Sequence, residues 1–229
     1  MKTSLLLALA VVGAVSIARG QMSQNIVGYI NQAFYPGDNY IANQLANGDN
    51  TLDTIFQPGV PEGATFAPWD PVNHDYLPTS TYDVSTGWSI NYTFGYGQGA
   101  LFYDPQSLVT FTNTFVGSVW PGFVENQTFV PPVVTATGDQ LLSCVIPIDA
   151  SFYDVIGRDP LNGESVTMLD AVTQTYTTTT FENGVWNNGD PSLAVGESAM
   201  FDLLPVPEPG IYGLAAMGVV VLAGMRKRI

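Results

Sequence analysis

Between residues 21 and 205 the apolar positions come in short clusters, few of them long enough or regular enough for a helical period. They predict strands of four to eight residues separated by Gly, Pro, Asn and Asp. Opening strands are expected at Asn25 to Ile30 and Thr114 to Trp120, and apolar strands at Tyr40 to Leu45 and Gln140 to Ile146. Two stretches break the pattern. In "TLDTIF", Leu52, Ile55 and Phe56 stand at i, i+3 and i+4 behind Thr51, and in "SFYDVI" Ser151 and Asp154 are spaced as a capping box, so each predicts one helical turn. Hairpins should follow, with arms Ala64 to Trp69 and Asp75 to Tyr82, then Glu164 to Leu169 and Thr175 to Phe181. "DPVN" supplies the Asp and Pro that a type I turn favours, and the threonines from Thr177 to Thr180 suit a pleated surface. The expected fold class is all-β, a sandwich or a barrel-like closure.

These elements occur twice. At an offset of 100, Asp49 meets Asp149, Gly63 meets Gly163, Asp70 meets Asp170 and Tyr76 meets Tyr176. Apolar positions also correspond: Ile41 with Leu141, Leu45 with Val145, Leu52 with Phe152, Ile55 with Val155, Phe66 with Val166 and Trp69 with Leu169. After a gap of one or two residues the match continues through Trp88 with Trp186 and "GQGALF" with "GESAMF". Because turn residues correspond as well as strand residues, the pattern predicts two pseudo-symmetric repeats of about 90–100 residues, 21–104 and 105–204, each with one short helical turn.

Both ends carry a different pattern. Lys2, the apolar run Leu5 to Val15 and the small residues at Ala18 and Gly20 make residues 1–20 a secretory signal peptide. Residues 205–229 begin with alternating prolines at Pro205, Pro207 and Pro209, which favour an extended, accessible segment. The apolar run 211–225 follows, and Arg226, Lys227 and Arg228 would hold its end in the cytoplasm. Fifteen residues rise only about 22 Å as a helix, short for a bilayer core of about 30 Å, so the run suits a temporary anchor.

Val206-Pro207-Glu208-Pro209, then Gly213-Leu214-Ala215 and Gly218, then the basic Arg226-Lys227-Arg228, resembles the PEP-CTERM sorting signal of bacterial surface proteins. The resemblance covers the last 24 residues or so. It implies export, transient insertion in the inner membrane, processing near the Pro-Glu-Pro by an exosortase-type membrane enzyme, and a destination at the cell surface or in an exopolysaccharide matrix. The duplicated arrangement also resembles β-domains of unassigned activity found in such proteins.

Composition narrows the functions. From Gln21 to Pro205 there are 19 acidic side chains and one basic one, Arg158, a net charge of −18. Such a surface repels nucleic acid and anionic lipid. The single cysteine, Cys144 in "LLSCVIP", allows no intramolecular disulfide and is expected in a buried strand; with one histidine, His74, no ordinary zinc site can form. No metal or cofactor is expected. The repeated aspartates are expected to form turns and the repeated Trp88 and Trp186 to be buried equivalents, whereas Trp120, in "VWPGF" between the repeats, is the candidate glycan contact. Three functions remain open: a non-enzymatic structural or adhesive surface protein, a carbohydrate-binding module whose partner is an extracellular polysaccharide, and a secreted glycan-active enzyme. The first needs no catalytic residue, and the sequence contains no phosphate-binding loop, dinucleotide fingerprint or nucleophile motif.

Overall fold

The computed structural model describes residues 27–56, 58–106, 108–121 and 129–206. The described residues are mostly strand, with two short helices. In chain order they are β1 (Val27–Phe34), β2 (Gly37–Ala42), β3 (Leu45–Ala46), α1 (Leu52–Ile55), β4 (Thr65–Asp70), β5 (Asp75–Tyr76), β6 (Ser80–Asp83), β7 (Gly87–Trp88) and β8 (Gly99–Asp104). Then come β9 (Phe111–Val119), β10 (Gly138–Leu142), β11 (Ala150–Ser151), α2 (Phe152–Ile156), β12 (Ser165–Asp170), β13 (Thr175–Glu182), β14 (Val185–Trp186), β15 (Ser192–Leu193) and β16 (Ala199–Leu203). All strand pairs are antiparallel and the sheets are open, so the fold is an all-β sandwich and not a closed barrel.

The two repeats build the same sheet. Strand order is β2-β8-β4-β6-β7 in the first, with β5 attached to β4, and β10-β16-β12-β13-β14 in the second. Register repeats too: Phe66 faces Phe102 as Val166 faces Phe201, and Tyr82 faces Trp88 as Phe181 faces Trp186. The helical turns differ in how they start. Ser151 and Asp154 form a complete capping box, whereas the Thr51 side chain does not cap its helix. Instead Asp49 accepts from the Thr51 amide at 3.0 Å and from the Thr54 hydroxyl at 2.8 Å.

The pairing corrects the alignment at the first strand of each repeat. Asn39 faces Phe102 and Gln140 faces Phe201, so Gly37-Asp38-Asn39 corresponds to Gly138-Asp139-Gln140, one residue off the offset of 100. By register Tyr40, not Ile41, is the counterpart of Leu141. Gly37 and Gly138 both hold positive φ, 94° and 71°, a backbone that disfavours a side chain and marks the same corner in both repeats. The second hairpin also differs in continuity. β13 runs unbroken, but its counterpart divides into β5 and β6 around Pro78, which has no N–H to give to a ladder. Cys144 is buried as expected, but it lies two residues beyond the end of β10 and not within a strand.

β9, expected to open the second repeat, packs with the first. It pairs with β1 from Val27↔Ser118 to Phe34↔Phe111 and with β3 through Leu45↔Val119. This three-stranded sheet covers the face of the first repeat's sheet: Phe34 lies 4.5 Å and Phe111 6.3 Å from Phe102, and α1 adds Phe56, 5.6 Å from Phe102 and 5.7 Å from Phe115, between ring centroids. The second face is covered by α2, with Phe152 5.8 Å from Phe201. Gly117 lets β3 and β9 approach, since a Cβ there would collide with the Ala46 carbonyl oxygen.

Equivalent contacts join the repeats about a local two-fold. The Ala42 amide donates to the Gly196 carbonyl at 2.8 Å, and the Ser143 amide donates to that of Gly97 at 2.9 Å. Hairpin tips cross reciprocally. Gln174 accepts from the Asp38 amide at 2.8 Å and donates to its carbonyl at 2.9 Å, while His74 Nδ1 lies 3.0 Å from the Asp139 carbonyl oxygen. Both tip residues hold left-handed φ, 55° and 53°. The pattern is that of an isologous dimer interface contained in one chain.

The expected signal peptide 1–20, the residues Pro207, Glu208 and Pro209 of the expected sorting signal, the apolar run 211–225 and the cations Arg226, Lys227 and Arg228 lie outside the described residues. No helix among the described residues is long and apolar enough to cross a membrane.

Candidate functional site

Most of the ionisable groups singled out in the sequence have structural partners. Asp70 accepts from the Val72 amide at 2.9 Å and from the Asn73 side chain at 2.7 Å; Asp170 repeats the turn, accepting from Val172 at 2.9 Å and Thr173 at 3.1 Å. These donors hold the carboxyls of Asp70 and Asp170 below the usual range, and the Thr51 and Thr54 donors do the same for Asp49. Burial pushes the Cys144 thiol up to about 11, the behaviour of a core residue and not of a nucleophile. Among the described residues no three His, Cys, Asp or Glu converge as metal ligands.

Two further groups serve the packing of the repeats. Arg158, the one cation of the domain, reaches Glu164 with both terminal nitrogens, at 2.8 and 2.5 Å. Glu164 is fully buried and also accepts from the Leu161 and Leu204 amides at 2.7 and 2.9 Å. Burial alone would raise its carboxyl; the guanidinium and the two amides outweigh burial and hold it below the ordinary value. Tyr76 and Tyr176, matched in the sequence, both meet Tyr40, by a 3.4 Å hydroxyl contact and a 5.8 Å edge contact respectively. Burial at this three-tyrosine contact pushes Tyr176 up to about 12.

The aromatic candidates separate. Trp120 is half-buried, packed on the hydrophobic core with its ring edge-on to Phe129 at 6.5 Å. Trp88 is buried among Phe56, Phe66 and Tyr82, with centroids 5.3 to 6.2 Å away. Its counterpart Trp186 meets Phe181 at 5.3 Å, as Trp88 meets Tyr82, and Phe152 at 5.5 Å at the start of α2, and it is only partly buried. The expectation that both are buried is therefore corrected for Trp186. It lines an open cleft of about 680 Å³ with Tyr153, Phe152, Phe181, Asp159 and Asp190. Comparison with family models, curated proteins and solved structures returns no match.

The difference between the repeats has a local cause. In the first, Asp53 follows the start of α1 and its carboxylate lies against Gly87, the residue before Trp88. In the second, the corresponding places hold Tyr153 and Val185, both exposed, 49% and 64%. Sequence reasoning treated the matched tryptophans alike and passed over this cleft; the available signal was a tyrosine where the other repeat has an aspartate.

At the end of the described chain, Leu203 closes β16 in the core, and Leu204, Pro205 and Val206 are exposed. Val206, the first residue of the Val-Pro-Glu-Pro stretch, is thus exposed three positions after the last strand.

Proposed function

We propose that the chain is an exported surface or exopolysaccharide-matrix protein, non-enzymatic, with a structural or adhesive role. The observation that carries this reading is the exposed exit from β16: Leu204 to Val206 leave the sandwich directly before Pro207-Glu208-Pro209, so a membrane enzyme could grip the proline-rich segment without unfolding the domain. The signal peptide at 1–20 and the short apolar run with its three cations supply the route, and an exosortase-type enzyme is the processing partner. The non-enzymatic role is supported by where the reactive groups are used: aspartates hold turns, Glu164 clamps Arg158, Cys144 fills core space, and the tyrosines join the repeats.

Fractionation of host cells tests the route. With Arg226, Lys227 and Arg228 changed to Ser, the apolar run loses its cytoplasmic stop, and unprocessed protein is expected in the medium. With Pro207 and Glu208 changed to Ala, full-length protein is expected in the inner membrane. Normal processing of both variants contradicts the proposal.

A further inference from the structure

We propose that the cleft beside Trp186 binds neutral hexopyranose units of a polysaccharide. The duplication serves as an internal comparison. Both tryptophans make the same strand pairing, Trp88 with Tyr82 and Trp186 with Phe181, but Trp88 is also enclosed by Phe56, Phe66 and Phe102, whereas Trp186 meets only Phe152 besides its strand partner. Only in the second repeat is the indole left open, with Tyr153 exposed beside it. Aromatic surface held in water on a rigid strand and helix is the usual basis of a stacking platform, because the apolar face of a sugar ring covers it at little entropic cost.

The polar groups narrow the ligand. Asp159 and Asp190 are exposed carboxylates lining the cleft, acceptors suited to sugar hydroxyls, which donate. No cation lines it: Arg158, adjacent in sequence to Asp159, is held on Glu164. Phosphorylated or uronic-acid glycans would therefore meet uncompensated repulsion, and neutral ones would not. A volume of about 680 Å³ on an open surface accepts a short segment of a chain and leaves both its ends free. Binding resides in the folded body, so it does not depend on how the chain is sorted.

Affinity electrophoresis of the full-length protein through gels containing soluble β-glucan, galactomannan or polygalacturonate tests the inference. Retardation is expected with at least one neutral polymer and not with polygalacturonate. Tyr153→Ala and Asp190→Asn should each weaken it about tenfold or more, with unchanged melting temperatures. Trp186→Phe, which keeps a ring, should retain part of the binding. Absence of retardation by either neutral polymer overturns the inference, as does equal retardation by the acidic one. So does a Tyr153→Ala protein that binds like wild type, or loss of binding on Trp120→Ala alone.

Discussion

Changing Arg158 to Ala removes the only cation of the domain from a carboxylate that has no contact with water. Glu164 would keep the Leu161 and Leu204 amides but lose both guanidinium bonds. Removing one partner of a buried pair costs about 3–5 kcal/mol, and the partial exposure of Arg158, 14% of its side chain, places the cost near the lower end, about 3 kcal/mol. For a domain of this size each kcal/mol moves the midpoint by about 2–4 °C, so a fall of about 6–12 °C is expected at neutral pH. The pH dependence has a definite sign. In the wild type the carboxyl is held below its ordinary 4.5, so its stabilisation is complete above that value and is lost as pH falls through the lowered one. In the variant, burial acts with only the two amides against it, so the carboxyl moves up and acid relieves the buried charge. The gap between the two proteins should therefore narrow toward about pH 3.5. Scanning calorimetry at neutral and acidic pH measures both effects. Midpoints that agree within about 1 °C at neutral pH, or a gap unchanged in acid, would refute this account of the clamp.

The asymmetry of the repeats gives a second expectation. Trp88→Ala should cost about 3–5 kcal/mol by urea unfolding, and Trp186→Ala distinctly less, because that ring is only partly buried and has fewer aromatic neighbours. Equal costs would mean that the cleft closes in solution. Gly117→Ala should destabilise by about 1–3 kcal/mol through its collision with the Ala46 backbone, and should increase amide exchange at β3 before β12 or β13 is affected.

Strand positions and the duplication were legible because both rest on local periodicity and turn chemistry. Asp70 and Asp170 make the same turn, and Phe66 and Val166 face equivalent phenylalanines. Where the reading slipped, the deciding information was not local. The second repeat is one residue shorter between its first strand and its helical turn, so an ungapped comparison pairs Ile41 with Leu141, and only the register against Phe102 and Phe201 shows the step. β9 has the composition of an opening strand, but its partners Phe34 and Leu45 lie in the first repeat, and sequence does not state which of two similar edges a strand will join. The open face of Trp186 depends on its sequence neighbour Val185 and on Tyr153, which the fold brings beside it from α2.

The measurement that bears most directly on the account is intact-mass spectrometry of the protein recovered from the surface of its own host cells. A chain is expected that starts near Gln21 and stops near the Pro207-Glu208-Pro209 segment, with the apolar run and Arg226, Lys227 and Arg228 gone. A surface-exposed protein that still ends at Ile229 would contradict it, since the terminal stretch would then be a lasting anchor and not a processed signal.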